Sequence, residues 1–150
     1  LVSSAASDVY KRQINARIET LDEKVSFKKL IKTTRCVAVM DGFYEWKRSK
    51  ESKTPFYFTR EDKKPLYVAG IFENNEFCLI TEEASQNVMD IHHRQPVILD
   101  NNEIDNYLDL KKDGKKYLSQ IKKIPLNFYE ISKEVNKPTN NYPSLISKLN

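Results

Sequence analysis

The chain of 150 residues is 39% hydrophobic and 31% charged, with a formal net charge of +4. That composition points to one well-solvated domain able to bury a core, leaning toward polyanionic partners without deciding for them. Two cysteines, Cys36 and Cys78, both in apolar runs, argue against a secreted disulfide framework, and no apolar run approaches a membrane span, so a soluble cytosolic protein is expected.

Residues 1–13 have no usable apolar periodicity and lack the apolar stretch of a signal peptide. They read as a non-native leader, and residues 14–150 as part of a longer domain. Ser26 is placed to cap a short helix with Phe27, Leu30 and Ile31 on one face. Residues 36–40, with β-branched Val37 and Val39, read as a buried strand ending in the turn-prone Asp41-Gly42 pair, and the aromatic residues 43–46 as a second strand. Residues 47–54 form a charged connection. Pro55 and Pro65 open strands over 56–58 and 66–72, and a turn at 73–76 returns the chain over 77–81, so two hairpins in series are expected.

Ser85 can cap a helical turn ending just before His92, residues 97–99 form a brief strand, and Asp100 can cap a helix carrying Ile104, Tyr107 and Leu108. A helical piece over about 115–121, a strand over 126–131 and an Asn-rich loop over 136–143 complete the chain. Clustered strands with separate helices predict an α+β domain.

Glu45 lies between Tyr44 and Trp46. Alternation points it to water with the two aromatic residues in the core; the other reading desolvates it and raises its pKa toward acid–base work. His92 can shuttle protons or simply pack, and on an extended segment its ring and that of His93 would face opposite ways. Asn15 and Arg17 share a face if extended; Arg17 suits a phosphate or a surface pair with Glu19. The lysines near Trp46, Lys47 among them, suit either a solvated face or a single-stranded backbone with aromatic stacking. Cys36 and Cys78 look structural, and no paired ligand spacing supports zinc. No metal or cofactor is expected.

Several ordered motifs resemble the SRAP family, the SOS response-associated peptidase or abasic-site processing proteins. They are Asn-Ala-Arg-x-Glu-Thr at 15–20, Arg-Cys at 35–36, Asp-Gly-Phe-Tyr-Glu-Trp-Lys at 41–47, Pro-Phe-Tyr at 55–57, Ala-Gly-Ile-Phe at 69–72, Ile-His-x-Arg-x-Pro at 91–96, and Val-Asn-Lys-Pro-Thr-Asn-Asn at 135–141. The resemblance implies a single domain with a barrel-like, mostly antiparallel sheet and peripheral helices around a groove for single-stranded DNA. It implies a monomer that forms a covalent thiazolidine crosslink at abasic sites through an N-terminal cysteine, in the cytoplasm or, in a eukaryote, the nucleus. Asn15 would position the reacting groups, Glu45 and His92 would move protons, and Arg17, Trp46, Lys47 and Arg94 would contact DNA. The family's leading Cys-Gly-Arg segment is not in this sequence, so the fragment is expected to be inactive in crosslinking and to leave strand edges unpaired. The rival readings are a non-covalent single-stranded-DNA binder and a thiol peptidase limited to processing itself.

Overall fold

The computed structural model describes residues 15–149, so the expected leader over 1–13 lies outside the described residues. The chain opens with β1 (Asn15–Arg17), a 3-10 turn (Ile18–Thr20), α1 (Val25–Thr33), β2 (Arg35–Met40), β3 (Phe43–Arg48) and β4 (Lys53–Arg60). It continues with β5 (Leu66–Glu73), β6 (Glu76–Glu83), α2 (Gln86–Met89), β7 (Arg94–Pro96), β8 (Ile98–Leu99), α3 (Asn101–Leu108), α4 (Gly114–Leu118) and β9 (Leu126–Glu130). Two further 3-10 turns, Lys133–Asn136 and Pro143–Ile146, close it.

The strands form two sheets. One runs β1-β6-β5-β2, with β7 beside β6 and β8 beside β5; the other runs β3-β4-β9. Among the described residues neither sheet closes, which corrects the barrel-like expectation. The physical reason lies at Asp41-Gly42. That pair does not return the chain along β2; it carries it out of the first sheet to begin the second. A Cβ at position 42 would run into the Tyr57 ring and the Phe58 carbonyl, so glycine is needed for this close crossing. The hairpins are instead β3–β4 and β5–β6. The first sheet is also mixed, because β1 pairs with β6 in parallel. Strand β2 is an edge rather than a buried strand, and Val39 is 66% exposed.

Strand β5 shows where the core sits. Leu66 and Val68 face the second sheet, in a cluster with Phe43, Phe58, Val88 and Leu126. Ala69 and Ile71 face the helices, in a cluster with Phe27, Leu30, Ile31, Tyr107 and Leu118. A strand buried on both faces reads as a continuous apolar run, as this one does. Helix α1 buries the expected face but is entered from Lys24, with Ser26 inside its first turn. Helix α3 begins at Asp100 as expected, with a full capping box to Glu103.

One local feature positions the site. Strand β6 parts from β5 beyond Leu79, and the segment over 94–99 fills the fork. Val97 bonds both sides: its N–H donates to Ile80 O at 2.9 Å and its carbonyl accepts from Ala69 N at 2.9 Å. His92 therefore enters at the mouth of the fork.

Candidate active site

Glu45 is the third residue of β3, in register with Phe56 of β4. Alternation puts it on the face of Phe43, whose ring stacks on Phe58 at 5.0 Å between the two sheets. Tyr44 and Trp46 take the outer face, where Tyr44, Tyr57 and Tyr129 form a ladder with ring spacings of 5.4 and 6.0 Å. The C-terminal segment covers this face: Trp46 Nε1 donates to Asn136 Oδ1 at 2.6 Å, and the Tyr129 hydroxyl donates to Ile146 O at 2.8 Å. The alternation argument that sent Glu45 to water does not hold, because both faces of β3 are partly covered at this position.

His92 follows α2, where Val88 and Ile91 are buried and hold the turn in the seam between the sheets. His92 N donates to Val88 O at 3.0 Å, and Ala84 N donates to His93 O at 3.0 Å. This segment is a turn, so the His92 and His93 rings lie side by side at 4.7 Å, not on opposite sides. His92 Nδ1 stands 3.7 Å from Glu45 Oε1, with both side chains a little over one quarter exposed (29% and 26%). The Arg94 amide lies within donating distance of His92 Nδ1, at 3.2 Å, when that nitrogen carries no proton. On protonation Nδ1 finds two acceptors, Arg94 O at 3.0 Å and the Glu45 carboxylate. Burial pushes the Glu45 carboxyl above its ordinary value of 4.5, and the His92 charge offsets only part of that rise. A carboxyl held toward its neutral form beside an imidazole is an acid–base couple.

The other expected residues are dispersed around this pair. Lys47 is exposed, two residues beyond Glu45 on the same face of β3, while Trp46 lies on the opposite face. Asn15 and Arg17 are both exposed on β1, in register with Leu79 and Thr81 of β6. Among the described residues no hydrogen bond joins Asn15 to Glu45 or His92. Arg94 is held within the protein: its Nη atoms donate to the Glu19 carboxylate at 2.8 and 3.0 Å and to Thr81 O at 2.7 Å. Glu19 thus pairs with Arg94 rather than with Arg17, and the Arg94 guanidinium holds its carboxyl below the usual range.

Sequence reasoning missed Asn136 as the partner of Trp46, although it lies in the Asn-Lys-Pro motif. It also missed buried Gln95, whose Oε1 accepts from Ser85 N at 2.8 Å and whose Nε2 donates to Glu82 at 3.2 Å, tying β7 to the start of α2. Burial raises both thiols, Cys36 and Cys78, above their ordinary value, which disfavours thiolate at either site. Among the described residues no three His, Cys, Asp or Glu side chains cluster for a metal ion. Among them no helix is long and apolar enough to cross a membrane.

The family model for SOS response associated peptidase (SRAP) matches residues 1–138. The chain belongs to the SRAP family. This SRAP chain is 34% identical over 149 residues to the abasic site processing protein YoqW of Bacillus subtilis, spanning 90% of the chain and 66% of that relative. It is 29% identical over 153 residues to the abasic site processing protein YMR114C of Saccharomyces cerevisiae, spanning 92% of the chain and 42% of that relative. Its fold matches a crystal structure of a Bacteroides thetaiotaomicron protein with a TM-score of 0.80 at 26% identity, over 93% of the chain and 67% of that structure. The chain therefore spans from under half to about two thirds of the length of these relatives.

Proposed function

We propose that the complete protein acts in the DNA-damage response by processing abasic sites in single-stranded DNA, and that Glu45 and His92 move the protons of that reaction. The Glu45–His92 pair carries this reading, with a separation of 3.7 Å and a carboxyl raised by burial. Membership in a family whose relatives are named abasic site processing proteins supports it.

The opened sugar of an abasic site presents an aldehyde. An amine attacks the carbonyl carbon, and the carbonyl oxygen takes a proton to give a carbinolamine. His92 accepts the proton that the amine sheds. The neutral Glu45 carboxyl then donates a proton to the hydroxyl, which leaves as water; the iminium that forms returns its N–H proton to the Glu45 carboxylate and becomes an imine. A thiol on the same residue adds across the imine carbon, its proton passes to nitrogen, and a thiazolidine ring closes. In this proposal an N-terminal cysteine supplies both amine and thiol, since Cys36 and Cys78 have no free α-amine.

The test is the rate of denaturation-resistant adduct formation between the complete protein and an abasic oligonucleotide. Glu45→Gln and His92→Ala should each slow the adduct by about 10²–10⁴-fold, the usual worth of a positioned acid or base. Reversible, salt-sensitive binding with no adduct from the unsubstituted protein would overturn the covalent reading in favour of a simple binder.

A further inference from the structure

A cavity of about 600 Å³ opens between α1 and the loop leading into α4, in the helical layer on the far side of the first sheet from the Glu45–His92 seam. Six cationic side chains line it against two carboxylates, an excess of four. That equals the net charge of the whole chain, so outside this cavity the protein is formally neutral.

The floor is Arg35. It is 7% exposed and has no carboxylate partner among the described residues. Nε donates to Ile31 O at 2.6 Å, Nη1 to Tyr107 O at 2.8 Å and to Asp109 O at 3.0 Å, and Nη2 to Lys112 O at 2.6 Å. A guanidinium has five N–H groups, so one on Nη2 remains without an acceptor among the described residues, in a side chain that lines the cavity. The rim holds exposed Lys32, Lys111 and Lys116. Lys115 is fixed in the wall, donating to Asp22 at 2.5 Å and to Glu19 O at 3.0 Å. Glu19 is also the carboxylate that holds Arg94, two residues from His92. The turn directly after Arg17 therefore contacts both the cavity wall, through Lys115, and the strand that follows His92, through Arg94.

We propose that this cavity is a second nucleic-acid contact, taking backbone phosphates of the strand whose lesion lies at the Glu45–His92 pair. The nucleic-acid part of this inference rests on the proposed function. The phosphate chemistry rests on the cavity itself: a fixed cation with no carboxylate partner among the described residues, beneath exposed lysines, in a space of ligand size.

The experiment measures binding of the chain to an undamaged single-stranded oligonucleotide of about 20 nucleotides, by fluorescence anisotropy across a salt series. The Lys32→Glu/Lys116→Glu variant should bind at least about tenfold more weakly and flatten the salt slope by about 0.7 for each phosphate no longer neutralised. The milder Lys32→Gln/Lys116→Gln variant should shift both in the same direction by less, which guards against misfolding of the first. Unchanged affinity and slope, or an equal weakening from Lys63→Glu/Lys64→Glu in the β4–β5 turn, would overturn the proposal. Inorganic triphosphate should compete with the oligonucleotide; a triphosphate bound in the cavity without effect on DNA would assign the site to free polyphosphate and overturn the backbone reading. The probe carries no lesion, so failure of the Glu45–His92 chemistry would leave this measurement untouched.

Discussion

Glu45 and Arg35 are both charged groups drawn from water, and the protein treats them in opposite ways. Arg35 is clamped by four backbone carbonyls at 2.6–3.0 Å that end α1 and α3 and lead into α4. Among the described residues Glu45 makes one ion-pair contact, to His92 at 3.7 Å and beyond hydrogen-bond length, and it keeps part of its surface in solvent. The clamped group organises helix ends and cannot change its protonation. The loosely held group sits above its ordinary pKa and is partly open to solvent, where a substrate can reach it. A buried charge clamped through four of its five N–H groups is held as architecture, whereas a carboxyl without such a clamp at a solvent mouth is available for proton transfer.

The contrast breaks most easily at Arg35. Arg35→Ala strands four carbonyls and should cost about 3 kcal/mol or more, read as a fall in the urea midpoint. Gly114→Ala acts on the same clamp: its Cβ would lie 2.6 Å from Arg35 Nε and 2.7 Å from Cζ, and the overpacking should cost about 1–3 kcal/mol in the same titration. Trp46→Phe removes one bond to Asn136 on the outer face of β3 and should cost about 0.5–1.5 kcal/mol, measured by thermal melting.

Glu45→Gln should have the smallest effect on stability and the opposite sign. A carboxyl whose folded pKa is raised contributes stability below its ordinary range and loses it as pH climbs through the folded value. The glutamine variant should therefore match the parent near pH 4 and exceed it by about 1 kcal/mol or less near pH 7. A melting difference that shrinks as pH rises would count against the raised carboxyl.

Local signals were legible in the sequence where one element could be read alone. Asp100 and Glu103 stand at capping-box spacing, and Phe27, Leu30 and Ile31 share a helical face, so α3 and the buried side of α1 were both readable. Asp41-Gly42 was not readable as a crossing between sheets, because its turn chemistry equally suits a hairpin; what decides is the Tyr57 ring packed over Gly42, fifteen residues away in sequence. The face of Glu45 was hidden for a related reason. Phe43, Tyr44 and Trp46 are aromatic on both sides of the strand, so alternation carries no contrast. Arg35 stood beside Cys36 in a family motif, yet a clamp on carbonyls 72–77 residues distant leaves no local trace. The family motifs named Glu45 and His92, and only the fork between β5 and β6 shows how the two meet.

The most direct test of the central claim is an NMR titration of the Glu45 side-chain carboxyl in the unsubstituted protein and in His92→Ala. A titration above the ordinary value of 4.5, moving higher once the imidazole is removed, is the expected result. A carboxyl that titrates at or below 4.5, and does not respond to loss of His92, would contradict the pairing on which the proposed chemistry depends.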